Sequence, residues 1–183
     1  RIAWGGGVPQ AWSGSLSVSE GRIVKHVPLG IDEDAPGSMW IDRGALQIAA
    51  RSQREYDGVD VDIVAPLESN LVVSLRKADA QEAPAPLEIP LRELVDDSFY
   101  RPLGPADLGN QILVQRAPGD RLRVKLKADS LVFAPNEQLE LELLPHLLGL
   151  PANRNVVLRS QVLVARTEDE ISSSSETFSV PDD

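Results

Sequence analysis

The chain has no cysteine, one methionine and only eight aromatic side chains in 183 residues. Without cysteine there are no disulfides, no thiolate chemistry and no cysteine-based zinc site. Secretion stays open, because a domain of this size can hold together by burial alone. With aromatics at 4 % against 42 % hydrophobic residues overall, the core must be built from Leu, Val and Ile. Long apolar runs are also missing. The longest apolar-looking stretch, Leu143–Leu150, contains Pro145, His146 and Gly149, while a membrane helix needs roughly 18–20 apolar residues. No membrane insertion is expected in this segment.

Positive charge is scarce. Lys and Arg number 18 against 28 Asp and Glu, a net charge of -10. Such a surface repels phosphate backbones, so no nucleic-acid partner is expected. The one basic cluster, Arg121, Arg123, Lys125 and Lys127, reads as the outer face of a strand. If a strand carrying Glu140 and Glu142 lies beside it, opposite charges meet across the sheet. Catalytic signatures are missing too. Gly5-Gly6-Gly7 is not followed by the lysine and helix of a phosphate loop, and there is no G-x-S-x-G. Two histidines, His26 and His146, cannot form a metal cluster between them.

Period-2 alternation dominates what is present. Trp12, Gly14, Leu16 and Val18 share one face, and Ser13, Ser15 and Ser17 the other. A turn at Glu20-Gly21 predicts a hairpin with Val18 opposite Ile23. Val59, Val61 and Ile63 face opposite to Asp60 and Asp62, and Leu71, Val73 and Leu75 alternate after the turn at 65–70. That pattern predicts a second hairpin. Leu87 and Ile89 read as a strand, with one helical turn after Pro90. Further strands are expected over 111–115, 122–127, 131–133, 139–143, 156–166 and 176–180, with Leu122, Val124 and Leu126 buried. The fold class is therefore all-β, an assembly of antiparallel β-sandwich modules.

The Ala/Pro-rich segment at 79–86 is the expected linker or surface loop. It divides a first sandwich unit over 1–78 from a second over 87–183. In the second, L-V-F-A-P-N-E-Q-L-E-L-E-L, Leu131–Leu143, gives a strand–turn–strand pattern. On that pattern the unit resembles the immunoglobulin-like accessory modules of bacterial extracellular proteins.

Candidate sites come from carboxylates and tryptophans. Asp32 and Asp34 lie in the loop over 26–38, and Asp57, Asp60 and Asp62 at the start of a strand. An acidic solvent face is the plain reading and no cofactor is expected on it; the alternative is a calcium site, for which either cluster with backbone oxygens supplies hard oxygen ligands. Paired carboxylates are also what a glycoside hydrolase needs, at a defined separation. Trp4, Trp12 and Trp40 all fall in the first 40 residues. Trp12 shares a face with Leu16 and reads as core. Trp40 follows the acidic loop and reads as an exposed platform for a sugar ring, with Arg51, Arg54 and Tyr56 as polar neighbours.

The leading functional expectation is a non-catalytic β-sandwich module of a larger protein, structural or protein-binding. Its partners would be neighbouring domains of the same polypeptide or another protein. The alternative is a carbohydrate-binding module built on Trp40, with a carboxylate-dependent glycoside hydrolase behind it. An acidic, cysteine-free composition with a Ser-rich end suits an extracellular, periplasmic or cell-surface location, and a first residue other than methionine is expected of a chain that starts inside a longer reading frame or after a removed segment.

Overall fold

The computed structural model describes residues 1–29, 38–50, 52–80, 84–105, 108–127, 132, 134, 137–150 and 153–180. Strands take up 59 % of the described residues and helix 3 %, and every strand pair is antiparallel. The all-β sandwich expectation is met. The chain divides into two compact units, Arg1–Asp120 and Arg121–Asp183.

In the first unit the strands are β1 (Ile2–Gln10), β2 (Trp12–Val18), β3 (Arg22–Pro28), β4 (Met39–Asp42), β5 (Ala45–Ala49), β6 (Arg54–Val64), β7 (Asn70–Lys77), β8 (Leu87–Pro90), β9 (Phe99–Pro102) and β10 (Gln111–Val114). They form two five-stranded sheets, β3-β6-β1-β10-β9 and β4-β5-β2-β7-β8. Between them lies one core that includes Ile2, Trp4 and Ile112 from the first sheet and Trp12, Leu16, Leu46 and Leu71 from the second. A fully buried side chain of this kind contributes about 1.5–3 kcal/mol. The tryptophan on the β2 apolar face is buried, as the alternation predicts.

The unit boundary falls after Asp120 and not at 79–86. The strand β8 pairs with β7, and β10 pairs with β1, so residues after the Ala/Pro segment complete both sheets of the first sandwich. The described part of 79–86 is a surface connection within one unit. After β8 comes a single 3-10 turn, Glu93–Val95, where one helical turn was expected.

Both expected hairpins are instead arches between sheets. The strands β2 and β3 lie in opposite sheets, as do β6 and β7. The two arches are stapled together. The Ser19 hydroxyl accepts from the Asn70 N–H at 2.9 Å, and the buried Ser69 hydroxyl donates to the Glu20 carbonyl at 3.1 Å. A Cβ on Gly21, whose φ is +118°, would stand 2.3 Å from the Val64 carbonyl oxygen, so only glycine lets the arches stack. A true two-residue hairpin does occur between β4 and β5. Arg43 and Gly44 both have positive φ there, as a primed turn requires.

The second unit holds β11 (Leu122–Leu126), β12 (Leu141–Pro145), β13 (Asn155–Leu163) and β14 (Glu170–Ser179). They pair as two separate two-stranded ribbons, β11-β12 and β13-β14. Among the described residues the ribbons join no larger sheet, so the immunoglobulin-like arrangement expected over 87–183 is not shown, and the expected strand at 131–133 lies largely outside the described residues. Charge pairing across β11 and β12 is present. Lys125 stands opposite Glu142 with the ammonium 3.8 Å from the carboxylate, and Lys127 reaches Glu140 at 3.4 Å. Burial on the other face is weaker than expected: Leu122 and Leu126 are half-buried, but Val124 is 54 % exposed. The reason is that no second layer covers that face among the described residues.

Candidate functional site

The first sandwich presents two outer faces, and their side chains differ. On the β4-β5-β2-β7-β8 sheet, Met39 and Ile41 turn toward the core and Trp40 turns out, 44 % exposed. Register places Trp40 beside Gln47 of β5, then Ser15 of β2, then Ser74 of β7. This face is small and polar with one aromatic at its edge strand.

The other outer face, on the β3-β6-β1-β10-β9 sheet, carries both tyrosines of the chain. Tyr56 of β6 is 66 % exposed and Tyr100 of β9 is 64 % exposed. One cross-strand row runs Tyr56, Gly5, Gln111, Pro102, and the next runs Gly58, Ala3, Leu113, Tyr100. Residues two apart on a strand share a face, so the two rows lie side by side. The Tyr56 ring rests on the backbone of Gly6, where a Cβ would stand 3.1 Å from its Cε1. Burial leaves the Gln111 Oε1 shielded and with no hydrogen-bond donor among the described residues.

Strand direction separates the expected site residues. Trp40 and Tyr56 lie on opposite outer faces, so the structure does not combine them into one site. Arg54 sits at the start of β6 with its guanidinium 3.7 Å from the Asp57 carboxylate. Arg51, Asp32 and Asp34 lie outside the described residues.

The β6 acids separate in the same way. Asp60 points outward and is held by Arg1, whose Nε and Nη2 each donate to one carboxylate oxygen at 3.0 Å. With both oxygens engaged, Asp60 is matched to a fixed cation. Asp62 is exposed, opposite Lys25. Asp57 has the opposite parity and turns inward, its side chain only 6 % exposed. Burial pushes the Asp57 carboxyl above its ordinary value, and the Gly58 N–H at 2.9 Å and Arg54 oppose that rise. Ser38, Met39, Ile48, Ser52 and Arg54 line a shallow crevice with it, between β6 and the β4-β5 hairpin. Among the described residues no three His, Asp or Glu side chains converge in a way that could hold a metal.

Two residues of consequence carried no sequence signal that singled them out. Tyr100 sits in a four-residue edge strand, F-Y-R-P, too short to show alternation. Asn110 reads as an ordinary loop residue, yet it is 2 % exposed. Its Oδ1 accepts from the Gly7 N–H at 3.3 Å and its Nδ2 donates to the Val8 carbonyl at 3.2 Å. It satisfies the part of β1 where the register with β6 shifts. Gly7, on which it closes, has room for no Cβ, because one would stand 2.0 Å from the Leu108 carbonyl oxygen. Comparison with protein-family models, with curated proteins and with solved structures finds no match for this chain.

Proposed function

We propose that this chain is a non-catalytic β-sandwich module of a larger extracytoplasmic protein, and that its second unit docks against a neighbouring domain or another protein. The observation that carries this reading is the exposure of the second unit's ribbons. Val124, Leu141, Val157, Val162, Leu163 and Ile171 are each 47–66 % exposed. The strand β13 has one largely apolar face, Val156, Leu158 and Val162 with Ser160, and its other face adds Val157 and Leu163 among Asn155, Arg159 and Gln161. An isolated two-stranded hairpin is marginal in water, so these ribbons gain stability from a covering surface.

Amide hydrogen exchange on the 183-residue chain and on the intact parent protein tests this. Amides of β13 and β14 should exchange rapidly in the chain alone and slow markedly in the parent. Protection in the chain alone equal to that of β2 and β7 would remove the need for a partner and defeat the reading.

A second reading is supported by a specific observation: Trp4 and Trp12 are buried while Trp40 is not. Under it the first unit also binds carbohydrate, through an exposed aromatic ring. The apolar face of a sugar packs on such a ring.

A further inference from the structure

We propose that the first unit's glycan site is the outer face of the β3-β6-β1-β10-β9 sheet, with Tyr56 and Tyr100 as its two platforms, and that it takes a neutral, unbranched oligosaccharide segment. This rests on the carbohydrate reading and moves the site away from Trp40.

The distribution of aromatics comes first. Of the described aromatic rings, those of Trp4, Trp12 and Phe99 serve the core. Both tyrosines are left out of it, on one face of one sheet. A tyrosine so exposed contributes little to folding. Two on a single face form a pair of amphipathic surfaces, each with an apolar ring and a hydroxyl.

Their spacing is fixed by the sheet. Tyr56 on β6 and Tyr100 on β9 are separated by β1 and β10, three strand spacings or about 14 Å across the strands, and by about 7 Å along them. That is the reach of a short oligosaccharide and exceeds a single sugar ring. Such a ligand would lie obliquely over the sheet, touching one platform near each end.

The surface between the platforms suits an extended ligand. It consists of Gly5, Ala3, Leu113 and Gln111, with Gly58 under the Leu29 side chain. Gly5 and Ala3 leave the β1 part of this surface low, and Leu113 and Gln111 give its β10 part longer side chains.

Charge selects the ligand class. No ionisable side chain stands in the two rows between the tyrosines, and the pair in the next row, Arg1 and Asp60, is closed on itself. A chain of net charge -10 repels polyanions. Uronate and sulfated glycans are thereby disfavoured, and neutral ones are not.

The test is calorimetric titration of the 183-residue protein with cellohexaose, xylohexaose and mannohexaose, and with a hexagalacturonate as the acidic comparison. At least one neutral hexasaccharide should bind, and the hexagalacturonate should not. Tyr56→Ala and Tyr100→Ala should each weaken that binding by about tenfold or more. Tyr56→Phe and Tyr100→Phe, which keep the rings, should stay within about threefold of the parent, and Trp40→Ala within about twofold. Unchanged thermal unfolding of each variant separates lost binding from lost folding. Failure of all three neutral hexasaccharides to bind overturns the proposal. So does full affinity in the folded tyrosine-to-alanine variants. Loss of binding in Trp40→Ala alone would preserve the carbohydrate reading and overturn this site.

Discussion

Leu16 in β2 and Val124 in β11 occupy equivalent places in equivalent patterns, the centre of a strand with apolar residues at every second position. Leu16 is 0 % exposed and Val124 is 54 % exposed. Local sequence does not explain the difference. The strand β2 has a second sheet over its apolar face, and β11 belongs to a ribbon of two strands. Alternation states which side of a strand needs cover, and a second layer has to supply it. The two units share one grammar of strands, yet only the first realises it within the described residues.

The largest effect that separates the units is core truncation. Leu16→Ala should cost about 2–5 kcal/mol in urea unfolding, the range for deleting a buried leucine. Leu158→Ala, at a half-buried position of β13, should cost under about 1 kcal/mol in the chain alone. Equal costs at the two positions would mean that the second unit has a core of its own, and the contrast would break.

Asp57 sharpens the comparison from inside the first unit. Its carboxyl titrates above the ordinary value of 3.8 because it is buried. The folded protein therefore holds that proton more tightly than the unfolded chain does. Stability from this group is greatest at acid pH and is lost as pH rises from 3.8 through the raised value. Asp57→Asn should flatten that part of the pH–stability curve and raise stability at neutral pH relative to the parent. A variant whose curve keeps the parent's slope above that pH would show that Asp57 is not the group responsible.

The smallest effect belongs to the second unit. Lys125 and Glu142 are each about half exposed, so a double-mutant cycle between them should give about 0.2–1 kcal/mol, shrinking as salt is added. A coupling well above that range would indicate a more enclosed ribbon than the structure shows.

Much of this was legible in the sequence and some of it was not, for identifiable reasons. The inward face of β6, Val59 with Val61 and Ile63, follows from alternation, as does the burial of Trp12 with Leu16. The facing charges of β11 and β12 follow from their spacing. Partner choice did not follow. Both sheets of a sandwich look onto the same core, so the apolar face of β3 is satisfied equally well beside β2 or across from it. Turn residues were the only guide, and Glu20-Gly21 suits an arch as well as a hairpin. The site was legible in part. Trp40 was read as exposed, and it is. Tyr56 was grouped with it because the two are near in sequence, but each strand alternates on its own and the two rings emerge on opposite sides of the sandwich. Tyr100 could enter only once β9 was placed beside β10.

The pairing of β1 with β10 sets a condition on how the molecule is made. Ile2 stands opposite Val114, and β1 is the central strand of its sheet, flanked by β6 on the other side. With the arches sending successive strands to opposite sheets, few early segments can pair locally, and such non-local topologies fold slowly. On a ribosome adding roughly 5–20 residues per second, β10 follows β6 by about 3–10 seconds. During that interval β1 can pair with β6 only, and its other edge, along I-A-W-G, is open to any other strand it meets. A chaperone that holds the nascent chain, or passage to its destination before folding, would protect it through that wait.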